Sequence, residues 1–320
     1  MRVLVTGGAG FIGSHVCERL LLDGHRVVVV DDLNAFYSPS MKLANLQELR
    51  SKGLEDFFEA DISEDATVRT IMAENRPDAV IHLAARAGVR PSLADPLLYE
   101  RVNVRGTMLL LEACRELGIS KFVFASSSSV YGASTQVPFR EDQPVGQPIS
   151  PYAATKLAGE GICYTYAHLY GIRTVCLRFF TVYGPRQRPD LAIRKFTGMI
   201  HRGTSIPVFG DGSSGRDYTF IDDTVQGIVA ALHYDCPYDI INLGNSHPVD
   251  LLTLIETIED TLGKKANKRW LPPQAGDVPI TCADIDKAGR LLGYSPQTPF
   301  NEGIRKFVAW YLQSGVSDPV

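Results

Sequence analysis

Short apolar runs alternate with amphipathic stretches through the first 180 residues. The runs at 3–6, 26–31, 56–60, 79–83, 121–125 and 174–178 are strand-like and mostly apolar, as strands of a covered parallel sheet are. Between them a helical rhythm predicts helices at about 11–22, 40–52, 64–75, 95–117 and 151–170. A seventh strand is expected at 239–243, after a helix at 221–235. Apolar strands separated by helices imply an α/β fold, a doubly wound parallel sheet of about seven strands with helices on both faces. Beyond 178 the pattern breaks into Gly- and Pro-rich loops at 184–189, 203–217 and 271–280, with short helices at 189–202, 250–262, 283–291 and 299–313. The expected organisation is a sheet domain over 1–178, with 217–243 returning to it, and a smaller interleaved α/β domain over 179–320.

The turn after the first strand is Gly7-Gly8-Ala9-Gly10-Phe11-Ile12-Gly13, and it opens the first helix. Glycines at 7, 10 and 13 allow a tight turn, close approach of backbone to a pyrophosphate, and packing of helix on strand. The helix N-terminus then offers free N–H groups to phosphates. The second strand ends in Asp31-Asp32, carboxylates placed to bind a ribose diol and to disfavour a 2′-phosphate, so the expected cofactor is NAD. Asn34 follows in the same loop. Asp61-Ile62 ends the third strand near the expected adenine edge, where Asp61 can also cap the next helix. Leu83-Ala84-Ala85 ends the fourth strand, with small residues against which a cofactor can lie. His82 before them is read as a satisfied core histidine. These features make the sheet domain Rossmann-type.

Composition narrows the partners. The chain is 45% hydrophobic and 21% charged, with a formal net charge of -4, which gives no reason to expect nucleic acid. No apolar run approaches a membrane span, and the opening Arg2–Val5 run lacks the charged and apolar regions of a signal peptide, so a cytoplasmic protein is expected. Cys17, Cys114, Cys163, Cys176, Cys236 and Cys282 form no CxxC pair; buried reduced thiols are expected, and no metal site.

The central chemistry lies in Ser126-Ser127-Ser128-Ser129, at the end of a buried strand, and in Ser150-Pro151-Tyr152-Ala153-Ala154-Thr155-Lys156. Ser150 can cap a helix and Pro151 suits its first position. Tyr152 and Lys156, the chain's only YxxxK, then share one helix face. A phenol beside an ammonium, facing hydroxyls, can move a proton off an alcohol. Asn103 lies in helix 95–117, turned toward the fourth strand, either as a structural clamp or as a water-holding member of the site. Helices 95–117 and 151–170 carry more apolar surface than one sheet face hides, which suggests a homodimer through a four-helix bundle.

With these residues in hand, the chain resembles the extended short-chain dehydrogenase/reductase family of NAD-dependent nucleotide-sugar epimerases and dehydratases. The resemblance runs from Thr6–Gly13 through Asn103, Ser127, Tyr152–Lys156, Tyr183-Gly184-Pro185 and Arg216-Asp217-Tyr218. It implies that Tyr152 is the base, that Lys156 holds the nicotinamide ribose and lowers the phenol pKa, and that Ser127 hydrogen-bonds the reacting hydroxyl. It also puts Phe209, after Ile206-Pro207-Val208, near a uracil, Arg216 on a diphosphate, and Asp277 on a ribose. Dehydratases of the family carry an Asp-Glu pair after the catalytic Thr, and the decarboxylases carry a Glu before Val-Tyr-Gly; here those positions are Ser128 and Ser129. Ala87-Gly88-Val89-Arg90-Pro91-Ser92 and the stretch from Arg178 through Thr181 to Arg188-Pro189-Asp190 resemble the UDP-glucuronate 4-epimerase branch. The implied activity is reversible C4 epimerisation through a 4-keto sugar, with Ser128, Ser129 and Thr181 around a C6 carboxylate and Arg90 and Arg188 supplying charge nearby. A UDP-glucose or UDP-N-acetylhexosamine 4-epimerase is the nearest other activity, and a non-catalytic NAD-sensing protein the alternative from another class.

Overall fold

The computed structural model describes residues 1–134, 136–272 and 278–314. In chain order its strands are β1 Arg2–Thr6, β2 Arg26–Asp31, β3 Asp56–Glu59, β4 Ala79–His82, β5 Lys121–Ser127, β6 Arg173–Phe179, β7 Thr181–Tyr183, β8 Ser205–Phe209, β9 Gly215–Phe220, β10 Tyr238–Leu243, β11 Pro248–Asp250 and β12 Asn267–Leu271. Seven of them form one parallel sheet in the order β10-β6-β5-β4-β1-β2-β3. This is the expected doubly wound sheet, seven strands included.

Alternation along each strand sends successive side chains to opposite faces. Val3, Val5, Val27 and Val29 pack with Val16, Cys17, Leu20, Leu46, Leu49 and Ile228, under the helices Phe11–Leu22, Pro39–Ser51 and Ile221–His233. Leu4, Val28, Val30 and Val80 pack with Val68, Met72, Leu110, Cys114 and Cys163, under the helices Asp65–Asn75, Gly106–Leu117 and Pro151–Tyr170. The first core continues into the second half through Ile193, Phe196, Leu254, Ile258, Ile304 and Phe307. There β11, β9 and β7 make a three-stranded sheet and β12 and β8 a parallel pair.

Two expectations need correcting. The 203–217 segment, read as loop, contains β8 and the start of β9; Gly210 and Gly212 lie between the strands, and Gly215 opens β9. The predicted helix 95–117 is not uniform: Pro96–Tyr99 is α, Glu100–Arg105 is a π turn, and Gly106–Leu117 is α again. A π turn inserts a residue and rotates the helix beyond it, a device found at functional sites. Here it carries Asn103.

The Tyr152 helix starts as expected. Ser150 Oγ accepts from the Ala153 N–H at 3.1 Å, and Pro151 is the first helical residue. Gly159 lets this helix lie close to β5, since a Cβ there would meet the Phe124 ring at 2.4 Å.

Candidate active site

One cavity of about 750 Å³ opens along the carboxyl ends of the parallel strands, where doubly wound sheets bind their ligands. Its wall includes Gly7, Gly10, Phe11, Ile12 and Gly13 from the first turn; Asp31, Asp32 and Asn34 after β2; Asp61 and Ile62 after β3; and Leu83, Ala84 and Ala85 after β4. Ser127, Ser128, Ser129, Tyr152, Lys156, Thr181, Arg90, Arg188 and Arg216 line the same space. Residues spread over 200 positions are thus brought together. Three expected members do not form its wall. Asn103 lies on the π turn at Glu100–Arg105, Pro207 and Phe209 lie on β8, and the Phe209 ring centroid is 5.9 Å from the guanidinium carbon of Arg90, which does line the cavity. Asp277 lies outside the described residues.

The first turn fits a dinucleotide. Gly7 has φ +70°, and a Cβ there would meet Ala84 N at 2.7 Å; a Cβ on Gly13 would meet Gly7 O at 2.1 Å. At Gly10, a Cβ would have only Gly7 O at 3.2 Å and the Tyr37 hydroxyl at 3.8 Å nearby. The turn is therefore closed on the protein side, while Gly10, Phe11 and Ile12 line the cavity.

The carboxylates after β2 are more engaged than the sequence suggests. Asp31 is buried and accepts from Ala9 N at 3.2 Å, Leu33 N at 3.0 Å and Lys42 Nζ at 3.1 Å. Lys42 Nζ is also 3.8 Å from Asp32. Sequence reasoning missed Lys42. Its signal was there: Lys42 and Asn45 occupy the buried stripe of their helix with Leu46 and Leu49, where apolar residues belong. Asn45 Nδ2 donates to Ala9 O at 2.9 Å, so both polar residues brace the glycine turn.

His82 is the satisfied core histidine expected. Thr107 Oγ1 donates to Asn103 O at 2.6 Å, so it accepts from His82 Nε2–H at 3.0 Å, and His82 Nδ1 accepts from Thr6 Oγ1 at 2.7 Å. Burial brings the imidazole pKa down to about 3. Asn103 resolves as a clamp. Its Oδ1 accepts from Arg86 N at 2.8 Å, and its Nδ2 donates to Arg86 O and to Thr155 Oγ1, both at 3.0 Å. It joins the loop after β4 to the helix that carries Tyr152 and Lys156.

At the reacting end, Ser127 closes β5 and caps the short turn Ser128–Tyr131. Its Oγ accepts from Ser129 N at 3.2 Å and Ser129 Oγ at 3.0 Å. Burial pushes the Tyr152 phenol above its ordinary pKa, while a hydrogen bond with Ser127 and the Arg188 charge pull it down. Lys156 Nζ donates to Ala125 O at 2.8 Å and lies 6.0 Å from the Tyr152 ring centroid. Burial brings the ammonium pKa down to about 8. Beside Lys156, to which the resemblance assigns the lowering of the phenol pKa, Arg188 is a second positive charge that pulls the phenol down. Arg188 is held by Asp190 through Nε–Oδ1 at 3.0 Å and Nη2–Oδ2 at 2.9 Å, and it lies 5.5 Å from the Phe36 ring centroid. Asp190 and Phe36 also line the cavity and were not foreseen.

Comparison with known proteins agrees with this geometry. The model of the NAD dependent epimerase/dehydratase family matches residues 3–244. A UDP-glucuronate 4-epimerase of Thermodesulfobacterium geofontis is 45% identical over 308 residues, covering 96% of this chain and 95% of its own. Among solved structures, the UDP-glucuronic acid 4-epimerase of Bacillus cereus in complex with UDP-glucuronic acid and NAD superposes with a TM-score of 0.92 at 38% identity, over 98% of this chain and 100% of that one. The UDP-glucose 4-epimerase of Thermotoga maritima, with UDP-glucose, gives 0.91 at 33% identity, over 98% and 99% of the two chains.

Proposed function

The chain belongs to the NAD dependent epimerase/dehydratase family, and from that membership we propose that it interconverts UDP-glucuronate and UDP-galacturonate by reversible oxidation at C4. Bound NAD supplies the hydride acceptor and then the hydride donor at that carbon. The residues that would hold it are the Gly7–Gly13 turn, Asp31, Asp32, Asp61, the Leu83–Ala85 segment and Lys156, all on the cavity wall. Tyr152 takes the proton of the C4 hydroxyl and returns it when the ketone is reduced on its other face. Ser127, hydrogen-bonded to Tyr152, holds the same oxygen.

The observation that carries the reading is the hydroxyl-only turn. Ser128 and Ser129 share the cavity with Thr181 and Tyr152, and the turn offers no carboxylate as the acid or base of an elimination. What remains is to oxidise C4 and reduce it again. A C4 ketone beside a C6 carboxylate is a β-keto acid, which loses CO2 when the C5–C6 bond aligns with the carbonyl π system. Short donors from Ser128, Ser129 and Thr181, with Arg188 nearby, hold the carboxylate out of that alignment. Among the solved structures, 38% identity to a UDP-glucuronic acid enzyme, against 33% to a UDP-glucose enzyme, supports an acidic sugar.

The test is to incubate the purified protein with UDP-glucuronate, without added NAD, and to identify the products by NMR. UDP-galacturonate with little UDP-pentose is expected. Abundant CO2 release would sink the proposal, and a higher kcat/KM for UDP-glucose would transfer the assignment to the neutral sugar.

We also infer a homodimer. Leu97 is 78% exposed, Met108 43% and Tyr164 55%, and the exposed Ala154, Ala158, Gly161 and Thr165 run along the outer side of the Pro151–Tyr170 helix. Two such helices per protomer suit a four-helix bundle. No helix among the described residues is long and apolar enough to cross a membrane. All six cysteines are free, which suits a reducing compartment, and we place the protein in the cytoplasm.

A further inference from the structure

Arg86 lies beyond the end of β4 and Asp32 directly after β2, and β1 runs between those two strands in the sheet. Their side chains nevertheless meet: Arg86 Nη2 is 3.4 Å from Asp32 Oδ2. Adjacent strands are ~4.8 Å apart, so strands two places apart are separated by ~10 Å. A pair that joins their ends has to pass over the end of β1, which is where the Gly7–Gly13 turn emerges. Both residues line the cavity together with Gly10, Phe11 and Ile12.

Each end of the bridge is fixed. Arg86 has its peptide N–H and its carbonyl both bonded to Asn103, which is bonded in turn to Thr155 on the Tyr152 helix. Asp32 Oδ1 accepts from Asn34 N at 3.1 Å, and Lys42 Nζ lies 3.8 Å away. Within the bridge one group is unspent: Arg86 Nε is enclosed and has no hydrogen-bond partner. An enclosed guanidinium N–H in a dinucleotide cleft suits a phosphate oxygen, because the planar fork can serve a carboxylate and a phosphate together.

We propose that Arg86 and Asp32 form a strap across the dinucleotide, with Arg86 as a cofactor-retaining residue that slows the release of NAD and NADH. The inference rests on the epimerase reading, in which the reduced cofactor has to stay in place between the two half-reactions. Premature loss of NADH would strand the sugar as a ketone. The strap gives the protein a means of retention that is separate from Tyr152 and Ser127.

The test measures release rather than turnover. Nucleotide-free wild type, Arg86→Gln, Arg86→Lys, Asp32→Asn and the double variant are loaded with NADH, and the loss of bound-NADH fluorescence is followed after dilution into excess NAD. Arg86→Gln is expected to release NADH at least ten-fold faster, and Arg86→Lys to recover part of the loss. The double variant should be no faster than the faster single variant, because both mutations cut the same bridge. The thermal midpoints of the nucleotide-free forms should stay together, which a merely structural pair would not allow. Release within two-fold of wild type, or additive effects in the double variant, overturns the strap. If Arg86→Gln does not fold, Arg86→Lys carries the comparison, with release faster than wild type expected and release within two-fold of wild type overturning the strap. Wild-type protein that takes up no NADH would overturn the cofactor reading of the cavity, and the strap with it; tight wild-type binding with unchanged variants overturns the strap alone.

Discussion

Glu160 holds Arg178 in a two-pronged ion pair, Oε1 to Nε at 2.9 Å and Oε2 to Nη2 at 2.8 Å, and both side chains are almost wholly buried. Glu160 lies one helical turn after Lys156, and Arg178 lies on β6 beside β5, so the pair fixes the rotation and depth of the helix that presents Tyr152. Ser126 Oγ donates to the same Glu160 at 2.5 Å, and the Arg178 guanidinium carbon is 4.8 Å from the Tyr131 ring centroid. Removing one partner of such a pair leaves a charge stranded without water. Glu160→Ala or Arg178→Ala should each cost about 3–5 kcal/mol in urea unfolding. The double change Glu160→Leu/Arg178→Met should recover most of it, and a double variant as unstable as the sum of the singles would refute the account.

Tyr152→Phe should lower turnover by about 10²–10⁴, the range for a positioned acid–base group, while bound NAD per protomer, measured after acid release, stays at the wild-type level. The hydrogen bond that pulls the phenol's pKa down is with Ser127, so removing the hydroxyl leaves the Gly7–Gly13 turn in place. Activity within ten-fold of wild type would remove Tyr152 from the proton-transfer role.

Acid should weaken the fold through two histidines. Burial brings His82 down to about 3 and His15 down to about 4, and His15 donates to Pro185 O at 3.0 Å. Unfolded, each titrates near 6.5. The unfolded chain therefore binds more protons than the folded one between those values. Stability from these groups is complete above about pH 6.5 and is lost as pH falls toward the folded-state values. Each contributes a slope of up to about 1.4 kcal/mol per pH unit. Urea midpoints from pH 7 to 4.5 should fall less steeply for His15→Gln than for wild type; parallel curves would exclude the assignment.

Much of this was legible in the sequence. The central strands β1, β2 and β4 were found because they are buried on both faces and read as short, mostly apolar runs, and β3 and β10 at the sheet edges were found from their place in the alternation with helices. Gly7–Gly13 and Tyr152–Lys156 were found because their spacing has few other uses. Thr181 on β7 and Phe209 on β8 were placed only by resemblance, since three- and five-residue strands leave little periodicity. Lys42, Arg86 and Glu160 were missed for other reasons. Arg86 and Glu160 are charged residues whose roles depend on partners on other elements, Asp32 and Arg178, and such pairing has no local signature, whereas Lys42 was passed over although it sits in the buried stripe of its helix. The π turn at Glu100–Arg105 was missed because its composition does not distinguish it from the helix on either side.

The dimer has its own test. Met108→Glu and Ala158→Arg place charge on the outer faces of the Gly106–Leu117 and Pro151–Tyr170 helices, where each side chain is exposed in the protomer. Wild type should sediment as a dimer and each variant as a folded monomer at micromolar concentration. A wild type that sediments as a monomer would show that these faces are not joined.

The serine turn and Thr181 should control what becomes of the ketone. Thr181 begins β7, a strand whose register with β9 sets it opposite Tyr218, while Ser128 starts the turn anchored on Ser127. The two donors reach the cavity from different elements, so losing one loosens the carboxylate without removing it. Thr181→Val keeps shape and volume and deletes only the hydroxyl; one lost hydrogen bond to a charged group is worth about 1.5–3 kcal/mol. If the carboxylate is held away from alignment with the C4 carbonyl, that loss should raise the share of UDP-pentose and CO2 about ten-fold relative to UDP-galacturonate. Ser128→Ala should do the same to a lesser degree, because Ser129 remains beside it. The ratio is read by NMR from a single incubation, so a general fall in activity cancels. An unchanged product ratio in both variants, with the epimerase rate lowered, would mean that these hydroxyls bind the sugar without restraining its carboxylate.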